Sequence, residues 1–419
     1  MKNTHRLGLR AVVSTMAIAV TLLTLASLSA EGVRPPSDEV RALWVTRTTL
    51  SSPDTIEQMV RAAQSGGFNT LIVQVRGRGD AYYASAVEPR ATELARRPDF
   101  DPLADVLARA KPAGLSVHAW INANLVSSAV ELPASRQHVI YRHPEWLMVP
   151  EDLATDMRAT DPRSPEYVGR LARWTRARLT DVEGLYTSPL HPAAAAHVAS
   201  IAADIVSNYA VDGLHLDYAR FPNAEFDYSR SALQQFKQSI AAHLSEADRR
   251  RADAQEIVDP AAYAALFPDR WHSFRQSRVT ALVMRVRTAV KRANPDAILS
   301  AAVVPDLATA TDSRMQDWRT WLDQSLVDVL CPMAYTEDVD LFGEQISVAR
   351  DFAGDRSVWA GVGAYRLSLT ATVQHIEAAR RAGAAGVALF SYDALVATPN
   401  STTTLAALGR AAFGAAGSQ

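Results

Sequence analysis

The feature that most constrains the fold of this chain is a series of eight short apolar segments separated by helical patterns. Each segment is rich in valine, isoleucine, leucine or tryptophan and nearly continuous in its apolar character, as expected of strands buried on both faces. Glycines end several of the helical patterns, as at Gly66, Gly114 and Gly383. The predicted strands are 40–46, 69–75, 115–121, 211–217, 297–304, 327–333, 357–363 and 386–392.

Eight alternating units predict an α/β fold, a (β/α)8 TIM barrel, with a doubly wound open sheet as the alternative. Such a barrel typically needs about 250 residues, whereas this chain has 419. The excess falls in two connections, from Asn122 to about Leu190 after the third strand and over about 223–269 after the fourth. Because both follow the carboxyl ends of strands, we expect them to lie on the face where barrel active sites are built.

The first thirty residues differ from the rest of the chain. Lys2, Arg6 and Arg10 precede an apolar run, and small residues follow it as far as Ala30. This order predicts a signal peptide over 1–30, with an N-terminal membrane anchor as the alternative. This segment is followed by a short linker over 31–39 and by one barrel domain over 40–415. We therefore expect an exported protein, periplasmic or secreted, with no stable membrane span after signal cleavage.

Composition narrows the classes of partner and cofactor. The formal net charge is −2, and becomes −5 without residues 1–30, which carry three basic residues and no acidic one. No block of basic residues is present, so we expect no nucleic acid partner. Cys331 has no second cysteine with which to form an intramolecular disulfide. The histidines lack a convincing metal-ligand spacing, so we expect neither a catalytic metal nor a cofactor. The oligomeric state cannot be read from the sequence.

Polar residues collect at the ends of the predicted strands and not at their beginnings. In a barrel these ends converge on one rim, so the pattern favours a functional site over ordinary loop polarity. The residues at these ends are Arg47, Gln74, Arg76, Asn122, Asn124, Asp217, Arg220, Asp306, Tyr335, Glu337, Tyr365, Tyr392 and Asp393.

The fourth strand carries the most specific candidate. The alternation of VDGLHLDYARFP (211–222) places His215 and Asp217 on one face, with Asp217 in the barrel mouth and His215 one layer beneath. A buried carboxylate needs donors. The candidates are Arg220, Arg76 and Tyr335. His215 is predicted to be a hydrogen-bonded core histidine. A hydrogen bond between His215 and Asp217 would be compatible with this role.

The loop after the second strand, VQVRGRGDAYYAS, contains Arg78–Gly79–Asp80, which matches an adhesion tripeptide. An extracellular adhesion protein is therefore an alternative, although the match covers only three residues. In a barrel loop, Arg76 and Asp80 are able to pair, and Tyr82 and Tyr83 are able to stack on a ligand.

Four segments together resemble the bacterial glycosyl-hydrolase-like ten family of exported barrel proteins. They are EVRALWVTR (39–47), FNTLIVQVRGRGDAYYAS (68–85), HPEWLM (143–148) with GLYTSPLHP (184–192), and VDGLHLDYARFP (211–222). The resemblance implies a (β/α)8 barrel that acts on glycosidic bonds, since characterised relatives act on cell-wall glycans, notably peptidoglycan strands stripped of their peptides.

The chain departs from related patterns at three positions. Relatives often carry two successive acids where this chain has Asp217–Tyr218, and Leu190 stands where the family has a glycine. Chitinase-type barrels carry a glutamate where this chain has Ala219, which argues against their substrate-assisted mechanism.

Glycoside hydrolysis normally needs two carboxyl groups. We expect Asp217 to be the acid, and the ranked candidates for the second group are Glu337, Asp306 and Asp393. The predicted substrate-binding residues are Arg76, Asp80, Tyr83, Trp120, Asn122, Arg220, Tyr335 and Tyr392. The predicted function is an exported, endo-acting glycoside hydrolase of a cell-wall or other amino-sugar polysaccharide. A non-catalytic glycan-binding barrel that lost the second carboxylate is the alternative.

Overall fold

The computed structural model describes residues 38–397 and 401–414. The predicted signal peptide over 1–30 and nearly all of the predicted linker over 31–39 lie outside these residues. Within the described ranges, no helix has both the length and the apolar character needed to cross a bilayer.

Eight parallel strands close into a barrel. In chain order the ten strands are β1 (Val40–Val45), β2 (Thr70–Arg76), β3 (Ser116–Asn122), β4 (Leu125–Ser127), β5 (Leu185–Tyr186), β6 (Gly213–Asp217), β7 (Ile298–Val303), β8 (Val329–Ala334), β9 (Ser357–Val362) and β10 (Gly386–Phe390). All except β4 and β5 belong to the barrel, which closes where β1 pairs with β10. The predicted TIM barrel is confirmed, and the open sheet is excluded.

Helices surround the barrel and fill its connections. The α-helices in chain order are α1 (Pro53–Ser65), α2 (Pro102–Ala110), α3 (Val139–Arg142), α4 (Ala154–Ala159), α5 (Pro165–Arg176), α6 (Pro192–Asn208), α7 (Arg230–Ile240), α8 (Glu246–Glu256), α9 (Ala262–Leu266), α10 (Pro268–Ala293), α11 (Trp318–Asp323), α12 (Val339–Ala353), α13 (Leu369–Arg381), α14 (Tyr392–Val396) and α15 (Ser401–Phe413).

The strand alternation separates two apolar layers. On β1, Leu43 and Val45 belong to the large core that also includes residues of the surrounding helices, while Ala42 and Trp44 belong to a smaller cluster with residues of other barrel strands. Trp120 of β3 belongs to the same small cluster. The indole rings of Trp44 and Trp120 therefore form part of the floor beneath the barrel mouth, and both line the cleft there.

The two longest connections follow β3 and β6, the third and fourth barrel strands. The first contains α3 to α6 and the antiparallel pair β4–β5, and has an apolar cluster of its own. The second contains α7 to α10. Gly184 lies directly before β5, where a Cβ would overlap the carbonyl oxygen of Ser127 on β4. This close approach fixes β5 and the preceding residue Glu183 beside the barrel mouth.

Candidate active site

A cleft of about 440 Å³ lies at the carboxyl ends of the barrel strands. Five residues predicted as catalytic or substrate-binding line it: Asp217, Trp120, Asn122, Arg220 and Tyr335. The other lining residues are Trp44, Thr46, Arg47, Gln74, Arg78, Leu125, Tyr218, Ala302, Met333 and Phe390. The geometry therefore brings together part of the predicted rim.

Asp217 is the carboxyl group of this cleft. It is the last residue of β6, lies opposite Asn122 on β3, and is only 8% exposed. Its Oδ1 accepts the backbone N–H of Tyr218 at 2.7 Å, and the indole N–H of Trp120 also stabilises the carboxylate. Burial is the largest influence and raises the pKa of Asp217 to about 6. With this pKa, about a tenth of the molecules carry the proton on Asp217 at pH 7, and about half carry it at pH 6.

A second carboxylate, Glu183, forms an ion pair with Arg220, and its charge acts on Asp217. The Nη2 of Arg220 donates to Glu183 Oε1 at 2.8 Å, and the Tyr186 hydroxyl donates to Oε2 at 2.6 Å. Burial opposes ionisation, but the charge of Arg220 and these hydrogen bonds hold the pKa of Glu183 below its ordinary value. The Glu183 charge in turn raises the pKa of Asp217. The two carboxyl groups therefore differ in protonation, one tending to the acid and one to the anion.

Glu183 was not among the residues predicted from the sequence. It precedes a strand of only two residues, β5, in the long connection after β3, and its partner Arg220 lies 37 positions further along the chain. The available signal was its position next to GLYTSPLHP (184–192), one of the segments that carry the family resemblance.

His215 is a structural residue of the barrel interior. The indole N–H of Trp44 donates to His215 Nε2 at 3.1 Å, so the ring proton lies on Nδ1, which is 2.8 Å from Ser300 Oγ. Burial lowers the pKa of His215 to about 3, so the ring is neutral. The predicted core role is confirmed, and the ring's hydrogen bonds go to Trp44 and Ser300.

A chain of hydrogen bonds fixes the floor of the cleft. Asn122 Oδ1 accepts from Trp120 Nε1 at 2.9 Å and from Gln74 Nε2 at 3.3 Å, while Asn122 Nδ2 donates to the carbonyl of Gly77. Gln74 Oε1 accepts in turn from Arg47 Nη1 at 3.2 Å. With both ends of its amide engaged, Asn122 serves to orient the Trp120 indole beside Asp217.

Aromatic rings form one wall of the cleft. Tyr335 and Phe390 stack with their centroids 5.6 Å apart, and Trp44 meets Tyr335 edge to face at 6.4 Å. Rings of this kind give a sugar an apolar face to pack against.

Four predicted substrate-binding residues do not line the cleft: Arg76, Asp80, Tyr83 and Tyr392. Arg76 is buried and forms a two-fold ion pair with Glu88, so the predicted pairing with Asp80 is wrong. Tyr83 is also buried and packs edge to face on Tyr209. Tyr392 is buried in α14, because β10 ends at Phe390 and it is Phe390 that reaches the cleft. Their positions give no support to the predicted roles.

The three candidates for the second carboxylate also lie outside the cleft lining. Glu337 is exposed and pairs loosely with Arg366 at 3.4 Å. Asp306 is exposed and accepts the backbone N–H of Thr309. Asp393 accepts hydrogen bonds from the β1 loop, so its oxygens are engaged in holding that loop. The donors to Asp393 are Thr46 N, Thr48 Oγ1 and Thr49 Oγ1.

The Arg78–Gly79–Asp80 tripeptide is packed and not presented as an exposed loop tip. Gly79 is buried in a left-handed conformation with φ 71°, and a Cβ there would meet His138. The Asp80 Oδ1 accepts the backbone N–H of Arg78 at 3.1 Å. Asp80 lines a neighbouring groove of about 590 Å³, and Arg78 lines both that groove and the cleft. This packing does not support the adhesion alternative.

Comparison with known proteins decides the family. The Glycosyl hydrolase-like 10 family matches residues 39–376. The chain belongs to this family. The predicted resemblance and the predicted class, a glycoside hydrolase, are thereby confirmed. Family members resemble the chain over most of its length. It is 23% identical to Glycosyl hydrolase DigH of Escherichia coli O6:H1 over 390 residues, covering 79% of this chain and 76% of that protein.

A second relative and two solved structures extend the comparison. Glycosyl hydrolase YngK of Bacillus subtilis is 21% identical, covering 71% of this chain and 54% of that protein. The PgaB (BpsB) glycoside hydrolase domain from Bordetella bronchiseptica has a TM-score of 0.60 at 16% identity, covering 89% and 99% of the two chains. The catalytic domain of β-amylase from Paenibacillus polymyxa has a TM-score of 0.60 at 11% identity, covering 90% and 98%. These two likenesses confirm the fold.

Proposed function

We propose that this family member is an exported hydrolase of cell-wall glycan, most directly peptidoglycan strands, with Asp217 as the general acid. The observation that carries the proposal is the state of Asp217, a buried carboxyl at the barrel mouth whose pKa is raised to about 6. A carboxyl with this pKa keeps its proton in about a tenth of the molecules at pH 7 and in more of them at lower pH, and the protonated form can donate to a leaving-group oxygen.

We assign the second carboxylate to Glu183 in place of Glu337, Asp306 and Asp393. The negative charge of Glu183 raises the pKa of Asp217. Glu183 is kept ionised by Arg220 and by the Tyr186 hydroxyl. A protonated acid beside an anion is the division of roles that glycosidic bond cleavage uses, because positive charge develops on the sugar ring as the bond breaks.

The aromatic wall and the polar floor support a sugar polymer as the substrate. Tyr335 and Phe390 offer stacked faces, and Arg220 and Tyr218 lie beside the acid. The cell-wall assignment rests on the resemblance of this chain to a family whose characterised relatives act on such glycans. The proposal that the protein is exported rests on the order of basic, apolar and small residues within 1–30, which is typical of a signal peptide.

The direct test is mass spectrometry of the products formed from peptide-stripped and intact peptidoglycan. We expect the wild-type protein to release glycan fragments from the stripped strands, and Asp217→Asn to fold normally and release almost none. Equal product from both proteins would refute the assignment of Asp217.

The second candidate function is a glycan-binding barrel without chemistry. It is favoured by the position of Glu183, which is not among the residues that line the cleft and whose oxygens are already bonded to Arg220 and Tyr186. Tight binding of stripped strands by the wild-type protein, with no products after long incubation, would support this function over hydrolysis.

A further inference from the structure

We propose that the arginine-lined end of the cleft is a subsite for a carboxylate carried on a sugar of the substrate, and that Arg78 recognises it. The inference rests on the proposed function, because it concerns the same cleft. It adds the chemical group by which the cleft would select one glycan over a neutral one.

The charges lining the cleft do not balance within the described chain. Three guanidinium groups face one carboxyl group, that of Asp217. Arg220 has its own anion in Glu183, whereas Arg47 and Arg78 form no ion pair with any described carboxylate and Arg47 donates to the neutral Gln74. When Asp217 holds the proton that the reaction requires, the cleft is cationic on the side of Arg47 and Arg78.

Among the cleft arginines of the described chain, Arg220 and Arg78 each have a buried N–H without a partner, but Arg220 also has an ion pair and Arg78 has none. The Nη1 of Arg78 is buried and has no hydrogen-bond partner among the described residues. Burial, followed by the neighbouring charge of Arg47, lowers the pKa of Arg78. An unpaired, partly buried cation costs free energy. A carboxylate would supply the missing charge, and its two oxygens fit the planar fork of a guanidinium.

The position of Arg78 suits a polymer. Arg47 and Arg78 line both the cleft and the neighbouring groove of about 590 Å³, so the two cavities are continuous through these side chains. Beyond the junction the groove is lined by three acids and one further arginine, Arg90, so the cationic excess lies at the junction. The acids are Asp80, Glu93 and Glu131. A glycan that runs from the cleft into the groove passes the guanidinium group of Arg78.

The backbone of Arg78 is held in place before any ligand binds. Its carbonyl oxygen lies 2.6 Å from His138 Nε2, and its N–H donates to Asp80 Oδ1 at 3.1 Å. Gly79 beside it is packed against the His138 ring. A fixed backbone reduces the entropy lost when the side chain binds, which favours selectivity.

The test measures binding in an Asp217→Asn background, so that turnover does not interfere. The two ligands are peptide-stripped peptidoglycan strands and the same strands with their carboxylates converted to methylamides. We expect the free carboxylate form to bind at least about tenfold more tightly at low salt, the size expected of one charge-assisted contact.

Variants of Arg78 then locate the selectivity. Adding Arg78→Gln should reduce the ratio of the two dissociation constants to below about threefold, and Arg78→Lys should leave an intermediate ratio because the charge stays and the fork is lost. Arg249→Gln, which removes an exposed arginine of α8, is the matched control and should leave the ratio unchanged. If Arg78→Gln fails to fold, the ratio of the two dissociation constants in Arg78→Lys decides whether Arg78 recognises the carboxylate.

Equal dissociation constants for the two ligands, no binding of either, or a preference that survives in the Arg78 variants would overturn the subsite. These results are distinguishable from failure of the proposed function, which is judged by whether the wild-type protein releases products. A protein that cleaves both strand forms equally would keep the proposed function and lose the subsite.

Discussion

At the residue scale, the chemistry depends on how two carboxyl groups are kept in different protonation states. Asp217 is buried at the end of β6, where desolvation and, to a smaller extent, the charge of Glu183 raise its pKa while Arg220 lowers it, and the net value is about 6. The sequence predicted Asp217, because strand alternation fixes the direction of a side chain at a strand end. It could not predict Glu183, because the contact between Glu183 and Arg220 depends on the packing of an irregular connection onto the barrel.

The pH profile of Glu183→Gln tests this coupling. Removing the charge of Glu183 takes away a repulsion and leaves the field of Arg220 unopposed, so the pKa of Asp217 should fall below about 6. A lower pKa means less of the protonated acid at pH 7. In the activity that remains without the second carboxylate, we therefore expect the descending limb of kcat/KM to move to lower pH. A movement of about half a pH unit adds about a threefold fall at pH 7 to the loss caused by removing that carboxylate.

Tyr186→Phe is the control for Glu183→Gln. It removes one hydrogen bond to Glu183 and keeps the charge of that carboxylate. The descending limb of kcat/KM should therefore move less than in Glu183→Gln. A limb that stays in place or moves to higher pH in Glu183→Gln would contradict the coupling between the two carboxyl groups.

At the scale of elements, the strands follow the sequence closely and the active-site loops do not. All eight barrel strands begin and end within two residues of the predicted bounds, because a strand buried on both faces leaves a continuous apolar run. The polar residues after those strands converge on one rim, but hydrogen bonds decide which of them reach the cleft. Asp393 accepts hydrogen bonds from Thr46 and Thr49, and Arg76 donates to Glu88. These contacts depend on how the loops pack, which the local sequence pattern does not predict.

The β4–β5 pair is the element that brings Glu183 to the barrel, and Gly184→Ala tests its importance. A Cβ at Gly184 would overlap the carbonyl oxygen of Ser127 and push the two strands apart. We expect a loss of about 1–3 kcal/mol in the free energy of unfolding, measured by urea titration, and a fall in activity under conditions where the variant is folded.

Gly343→Ala provides the comparison. Gly343 lies in α12 with nothing within 4 Å of an added Cβ, so alanine should stabilise the helix by about 0.5–1 kcal/mol and leave activity unchanged. If Gly184→Ala behaves like Gly343→Ala, the close approach of β4 and β5 has no functional importance.

At the scale of the whole molecule, the barrel is closed by contacts between the two ends of the chain. β1 pairs with β10, and Glu39, just before β1, accepts two hydrogen bonds from Arg380 of α13 at 2.7 and 2.9 Å. Arg380 also donates to the carbonyl of Ala412 in α15. One buried ion pair thus joins the first strand to two C-terminal helices. Barrel closure was predictable from the count of strands, but this ion pair was not, because its members are 341 positions apart.

Glu39→Gln should therefore lower the free energy of unfolding of the whole barrel and leave the chemistry of the active site unchanged. The substitution leaves a partly buried guanidinium without its anion, and we expect a loss of about 2–4 kcal/mol in the free energy of unfolding. The pH profile of kcat/KM at 25 °C should stay the same. In contrast, Glu246→Gln removes one member of an exposed pair with Arg250 and should cost less than about 0.5 kcal/mol. Equal, small effects of both substitutions would mean that this ion pair does not hold the barrel closed.

The role of Asp217 as proton donor is tested most directly by comparing two leaving groups in Asp217→Asn. A poor leaving group, such as the sugar hydroxyl of a stripped glycan strand, needs the proton of Asp217, whereas a 2,4-dinitrophenyl glycoside of the same sugar departs without one. We predict that Asp217→Asn loses about 100- to 10,000-fold in kcat/KM on glycan strands and less than about tenfold on the dinitrophenyl glycoside. Equal losses on both substrates, or no loss on glycan strands, would contradict the assignment of Asp217 as the general acid.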